Sequence, residues 1–235
     1  MRKVRKNKLK NKYMKKSTIV FFSLVTSLTI LTSCGCDKES KEQSIDSFIP
    51  ENWVLIDSAN GDLNKDNSDD VAIVVRNTDK KNIILNDGDS INKNPYSLII
   101  LFKDKKSNSY KFITKNDKFI PCDIAPPAFS PFNNISIVKN NLKIEFTSGV
   151  VGLYHSTDNY LFRYQDNDFA LIGTEISSTV NADDKTIDYS INFLTKKYSI
   201  TENGKTEWKT FELKSLKTLT TLSEVDTWNF IGLDL

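Results

Sequence analysis

Residues 61–70, "GDLNKDNSDD", hold the densest run of oxygen-bearing side chains in the chain: four aspartates and two asparagines, followed at once by the apolar run "VAIVV". Asp62, Asn64, Asp66, Ser68 and Asp70 fall at alternate positions of this loop, the first, third, fifth, seventh and ninth. A hard cation such as calcium takes about six to eight oxygens from carboxylates, amides and main-chain carbonyls, and a curled loop can turn alternate residues toward one point. The seventh position of such a loop donates its carbonyl, so Ser68 suits it. Asn67 stands where the backbone must bend left-handed, and asparagine tolerates that conformation best after glycine. The carboxylates of Asp62, Asp66, Asp69 and Asp70 repel one another without a cation. The competing reading is a turn rich in Asp and Asn that needs no ion.

Other chemistry is sparse. His155 is the only histidine, which excludes His-cluster metal sites. "GLYHSTDNY" places Ser156 and Asp158 beside it, but triads are assembled from distant segments, and neighbours in a strand point to opposite sides. His155 therefore reads as a polar residue in a loop between strands. No G-x-S-x-G elbow and no glycine-rich phosphate loop occurs. Asp123, Glu145, Asp158 and Glu175 are candidates for a pair of hydrolytic carboxylates only in being acidic. No catalytic residue is assigned, and the chain reads as a binder rather than an enzyme. Tyr154, Tyr160, Phe162, Tyr164 and Phe169 cluster in sequence. Core and cross-strand packing explains them before a sugar-stacking platform does.

The elements that position these residues are strands. "WVLID" (53–57) begins the domain, and "VAIVV" (71–75) and "YSLIILF" (96–102) are continuous apolar runs, as expected of strands buried on both faces. "YKFIT" (110–114) follows a turn. "ISIVKNNLKIEF" (135–146) reads as a hairpin about Asn140-Asn141, "YLFRYQDNDFALIG" (160–173) as a hairpin about "QDND", and residues 187–204 as a third. Ile187, Tyr189, Ile191 and Phe193 alternate with polar residues and give one buried face. "WKTFEL" (208–213) adds a last strand. Leu216, Leu219, Leu222 and Val225 recur every three residues and admit one short C-terminal helix. "FIPCDIAPPAFSPF" (119–132) carries four of the six prolines and reads as an ordered crossing loop anchored by Phe119, Ile120, Ile124, Phe129 and Phe132. The pattern predicts an all-β antiparallel meander of about ten short strands, either a sandwich or a partial propeller.

The first residues are an address. Residues 1–16 carry nine Lys/Arg and no acid, residues 17–30 are an apolar core, and "LTSC" follows with its cysteine at Cys34. Order and spacing match a signal peptide over residues 1–33. "LTSC" resembles a bacterial lipobox, which implies cleavage before Cys34 and lipidation there with acyl chains such as palmitate. The other reading is an ordinary secretory signal or an uncleaved anchor, with Cys34 incidental. Without residues 1–33 the chain of 235 residues leaves 202, with 23 basic and 30 acidic residues, a net of −7 in place of +2. The basic charge is spent on targeting, and no basic patch interleaved with aromatics remains for nucleic acid. Residues 34–47 read as a flexible polar tether, and residues 48–235 as one all-β domain. "DKESKE" is similar to acidic surface-export stretches of some Bacteroidetes lipoproteins, or is a plain spacer. An oxidising compartment permits Cys36 and Cys122 to pair, while a reduced Cys122 is the alternative.

The opening loop is not an EF-hand, since its twelfth position is Ile73 rather than Glu. "ANGDLNKDNSDDVAIVV" resembles the FG-GAP or VCBS-type calcium loop, G-D-x-N-x-D-x-x-x-D before an apolar strand, in a single copy. That resemblance implies side-chain ligation by Asp62, Asn64, Asp66 and Asp70 and main-chain ligation by Ser68, with Asn67 departing from the usual glycine. "NADDKTID" (181–188) is too poor a match for a second copy. Residues 50–213, through "IPENWVLIDSANGDLNKDNSDDVAIVV", "NPYSLIILF", "YLFRYQDNDFALIG" and "INFLTKKYSI", resemble a group of short, uncharacterised bacterial lipoproteins, mostly from Bacteroidetes. The resemblance implies location and fold, and no activity. The expectation is a lipoprotein anchored through Cys34 in a bacterial membrane, most simply the outer membrane, on its periplasmic face or at the cell surface. It carries one structural calcium ion and binds an unknown protein or glycan. The alternatives are a glycan-acting hydrolase and an immunity or inhibitor lipoprotein.

Overall fold

The computed structural model describes residues 43–126, 131–180 and 185–223. The signal segment, Cys34, Cys36, Phe129 and Val225 lie outside them. The described residues belong to one compact unit. No helix among them is long and apolar enough to cross a membrane.

The fold is all-β and antiparallel. Its strands are β1 (Trp53–Gly61), β2 (Asp70–Asn77), β3 (Ile83–Asn86), β4 (Asp89–Asn92), β5 (Tyr96–Lys103), β6 (Tyr110–Asn116), β7 (Phe132–Val138), β8 (Asn141–Val150), β9 (Tyr154–Gln165), β10 (Asp168–Val180), β11 (Lys185–Asn192), β12 (Lys197–Glu202) and β13 (Lys205–Thr210). They form a four-stranded sheet in the order β1-β2-β5-β6, a seven-stranded sheet running from β13 back to β7, and the separate hairpin β3-β4.

The apolar runs behave as their composition demands. Val71 to Val75 have no exposure, so β2 is covered on both faces. Ala72, Val74, Leu98 and Ile100 point inward and share one core with Ile135, Leu142, Ile144, Phe146, Tyr160, Phe162 and Phe169 of the larger sheet. This common core makes the fold a sandwich and not a partial propeller. Phe119 sits at its centre with its ring edge-on to Phe146, Tyr160 and Phe162 at 5.5, 5.4 and 5.7 Å. Each such side chain stabilises the fold by about 1.5–3 kcal/mol on burial. The sequence cluster of aromatics is therefore core, except Tyr154, which is exposed at the end of β9. Val71, Ile73, Val75, Ile99 and Leu101 point the other way and are covered by Ile45, Phe48, Ile49, Trp53 and Tyr110. Residues 45–47, expected in the tether, thus enter the packed domain as part of a short 3-10 turn, Ile45–Phe48.

Several strand expectations are corrected. Among the described residues there are thirteen strands, where about ten were expected. The hairpin β3-β4 turns on Asp87-Gly88, with φ of 51° and 92°. The β7-β8 turn is Lys139-Asn140 (φ 49° and 62°), one residue earlier than expected, because Val138 pairs with Asn141. Asp166-Asn167 and Asn203-Gly204 also have positive φ at both positions, the geometry two-residue hairpin turns require. His155 lies inside β9, not in a loop. The last strand stops at Thr210, and the C-terminal helix is reduced to a 3-10 turn, Leu219–Thr221. In the crossing loop Phe119 and Ile120 are buried as expected, but Ile124 is exposed. Buried Asn116 starts that loop by accepting from the backbone N–H groups of Lys118 and Phe119 at 2.7 Å. Its amide donates to the carbonyls of Leu219 and Leu222 and so also fixes the C-terminal segment.

One end of the core is polar. Asp158 is 2 % exposed, and its Oδ1 accepts from Ser156 Oγ at 2.6 Å. Burial pushes the Asp158 carboxyl above its ordinary range, and the Ser156 hydrogen bond only partly offsets this. Burial, aided by Asp158, also raises the Tyr160 phenol. A carboxyl with a raised folded value holds its proton more tightly when folded than when unfolded. Its contribution to stability is thus present below about pH 4, the ordinary carboxyl value, and is lost as pH rises through the raised value. Asp158→Asn keeps an acceptor for Ser156 and removes the titration. The variant is expected to melt at a higher temperature than the parent at neutral pH, with the gap shrinking toward pH 4. A gap independent of pH in thermal scans would overturn this.

Candidate functional site

The 61–70 loop links β1 to β2 at the place where the two sheets meet. Gly61 is a glycine for steric reasons: a Cβ there would come within 2.7 Å of Ile137 Cγ2 on β7. Leu63 is buried in the core and pins the loop from beneath. The main-chain carbonyl of Asp62 accepts from Asn140 Nδ2 in the β7-β8 turn. Lys65 and Asn67 have φ of 64° and 62°, so Asn67 does take the left-handed bend expected of it.

Asp70 is the deepest of the five candidate ligands, with no exposed surface. One of its oxygens accepts from Leu63 N at 2.9 Å and Asn64 N at 3.2 Å, and the other from Lys103 N at 3.0 Å, at the end of β5. Burial raises its carboxyl above the ordinary range, against the lowering effect of these three donors, and the charge of Asp66 raises it further. Asp62 accepts from Asp66 N at 3.0 Å and Asn67 N at 2.9 Å. Asn64 Oδ1 accepts from Asp66 N at 2.9 Å, while Asn64 Nδ2 donates to Asp66 Oδ2 at 3.2 Å. Lys105 donates to the Asp66 carbonyl, and its Nζ lies 3.9 Å from Asp66 Oδ1. Ser68 lies on the same curl, half-buried.

This donor set suits a hard divalent ion in chemistry. All its atoms are oxygens, and a carboxylate offers about four lone-pair sites. Asp62 uses two of these on N–H groups and Asp70 three, which leaves capacity on both. The loop also meets part of its need for positive charge by itself, through backbone N–H groups and the Lys105 ammonium. Among the described residues no group of three or more His, Cys, Asp or Glu side chains is gathered at metal-holding distance.

The remaining candidates do not converge. His155 and Ser156 are neighbours in β9 and face opposite sides, with Ser156 buried and His155 exposed. Asp123 pairs with Arg76 at 2.9 Å, and Arg76 lies over the Tyr96 ring at 4.4 Å. Tyr96 is raised to about 12, chiefly by burial. Cys122 Sγ donates to the carbonyls of Lys93 and Asn94 at 3.5 and 3.6 Å; the pairing with Cys36 lies outside the described residues. Sequence reasoning missed a cavity of about 490 Å³ on the outer face of the seven-stranded sheet. Gly173 lies in it, between Leu161 of β9 and Asn192 of β11. Lys143 continues this row beyond Leu161; Asn141 and Arg163 line one side of it, and Asn159 and Glu175 the other. A second cavity of about 260 Å³ shares Asn159, Glu175 and Ser190 with it. The only signal in the sequence was the polar alternation of β8 to β11.

Asp70→Ala leaves three interior N–H groups without their acceptor, at about 1–3 kcal/mol for each unpaired group. The expected loss is on the order of 3 kcal/mol or more in urea denaturation. Asp70→Asn, which keeps one carbonyl oxygen, is expected to lose less. Equal losses below about 1 kcal/mol in both variants would remove the stapling role. No family model, no curated protein and no solved structure matches this chain.

Proposed function

We propose that the chain is a lipid-anchored binding module on the outer side of a bacterial membrane, most simply the outer membrane, with one structural calcium ion in its 61–70 loop. The observation that carries the binding reading is the difference between the two outward faces of the sandwich. The four-stranded sheet is largely covered by Ile45, Phe48, Ile49, Trp53 and Tyr110, which leave one cavity of about 490 Å³ beside Leu55 and Lys103. The seven-stranded sheet is open, and its outer face bears two adjoining cavities. Ile45 and Phe48 bring the chain into the domain on the covered side, opposite the cavity-bearing face of the larger sheet.

Calcium would be held by the side chains of Asp62, Asn64, Asp66 and Asp70 and the Ser68 carbonyl. Bound there, it supplies the charge that lets the carboxylates lie close together, and so stiffens the junction between β1 and β2. Lys105, already on Asp66, would be displaced or would share the site. A glycan-acting hydrolase is the second reading. Glu145 and Glu175 pair with Asn159 from either side on adjacent strands of the open face. That places their backbones roughly 10 Å apart, with one strand between them. Binding is preferred because Glu145 already serves Asn133, Asn134 and Lys143.

Extracellular calcium modules bind at about 10⁻⁴ to 10⁻³ M. At ~10 mM calcium a site at the weak end of that range gains about 1.4 kcal/mol, or a rise of a few degrees in Tm for a domain of this size. The rise is expected in the parent and not in Asp66→Ala, by scanning calorimetry. Labelling with radioactive palmitate is expected in the parent and lost in Cys34→Ser. An unshifted Tm sinks the calcium site, and an unlabelled parent sinks the anchor.

A further inference from the structure

We propose that the cavity about Gly173 binds an acidic oligosaccharide, two sugar rings in length, with one carboxylate at the Arg163 end and hydroxyl groups at the Asn159 end. This rests on reading the domain as a binding module and names the ligand class of its open face. The cavity, at about 490 Å³, is within the size range of small-molecule sites.

Its two ends differ in charge. At one end Arg163 is half-buried, and no hydrogen bond or ion pair engages its guanidinium among the described residues. Lys139 stands at the rim nearby, while Lys143 is committed to Glu145 at 3.5 Å. A guanidinium held part-way out of water favours a planar, bidentate anion, which a carboxylate is. At the other end, Asn159 Oδ1 is buried without a hydrogen-bond partner. Native proteins leave few such acceptors, and this one calls for a donor that the protein does not supply. Glu175, beside Asn159, is an exposed acceptor as well. A ligand that fits both ends is anionic at one and a hydrogen-bond donor at the other.

Four residues separate Asn159 from Arg163 along β9, a span of roughly 13 Å, which two linked sugar rings cover. Between the ends the floor carries apolar residues, flanked by Lys143 and Asn192. Leu161 lies beside Gly173, whose missing side chain opens the cavity, and Ile172 lines it next to Gly173. The C–H face of a sugar ring suits that floor. The adjoining cavity continues the groove with Ser190, Ser199 and Thr201, hydroxyls that both donate and accept. A peptide is disfavoured because peptides in extended form add to the edge of a sheet through backbone hydrogen bonds. This cavity lies over β8 to β11 in the middle of the sheet, where each strand is paired on both sides.

Isothermal titration of the full chain, extracted in detergent, with cellobiouronic acid and with cellobiose isolates the carboxylate, because the two differ only there. The acid is expected to bind on the order of tenfold more tightly, as one charged hydrogen bond implies. Arg163→Met is expected to erase that difference. Asn159→Ala is expected to weaken both sugars several-fold, and Lys209→Met, on the opposite side of β13, to change neither. Tm of each variant serves as the folding control. Equal binding of both sugars, an unchanged preference in Arg163→Met, or equal binding of the dipeptide Glu-Ala overturns the proposal. Silence toward both sugars, in a chain whose palmitate labelling and calcium response persist, overturns this ligand while leaving the anchored module intact.

Discussion

The buried carboxylate of Asp70 is the contact on which the junction of the domain depends. It joins three backbone N–H groups from two places, the start of the 61–70 loop and the end of β5. A carboxylate in that position is tolerable because three backbone N–H groups engage both of its oxygens. With Asp70 in place, Leu63 must enter the core, Gly61 must pass beneath Ile137, and the Asp62 carbonyl meets Asn140 in the larger sheet. One side chain thereby sets the path of the loop and the approach of one sheet to the other. Asp57, at the bulge in β1, repeats the device further along by accepting from Ile135 N at 2.8 Å on β7.

The same sandwich makes its two outward faces unequal. The four-stranded sheet has apolar residues on both sides and needs a cover, which residues 45–53 and Tyr110 provide. The seven-stranded sheet alternates apolar and polar residues and needs none. One outer row runs Glu145, Asn159, Glu175, Ser190 and Ser199 across successive strands, so polar side chains lie next to one another over five strands before Trp208 ends the row on β13. Such a face is stable in water without a cover.

Much of the fold was legible from local pattern. The runs 71–75 and 96–102 announced strands covered on both sides, and Asp166-Asn167 announced its own turn. The loop at 61–70 was legible as a curl of alternating oxygens, and Asn67 as its left-handed residue. Other features were hidden for physical reasons. The hairpin β3-β4 exposes Ile83, Ile84 and Leu85, so no buried stripe marks it, although Asp87-Gly88 is a strong turn signal. β9 begins with exposed polar residues around His155 that read as loop, because strand pairing rather than burial keeps them extended. The covering role of Ile45 and Phe48 depends on a sheet distant in sequence. The Gly173 cavity is assembled from five strands, and no window of sequence holds its parts.

Ile172 gives the larger sheet a property of another kind. The pairing of β10 with β9 slips between Leu171 and Gly173, with Ile172 as the extra residue. Before it, the inward positions are odd-numbered, Phe169 and Leu171; after it they are even-numbered, Thr174 among them. β10 is therefore written in two frames spliced at one residue. Deleting Ile172 would leave the composition nearly unchanged and every neighbouring residue in place. It would make Leu171 and Gly173 consecutive, as their partners Phe162 and Leu161 are, so the two frames would join in regular alternation with Thr174 still inward and Glu175 still outward. At this point β10 can lose a residue whose loss, anywhere else in a paired strand, would turn every following side chain to the other face.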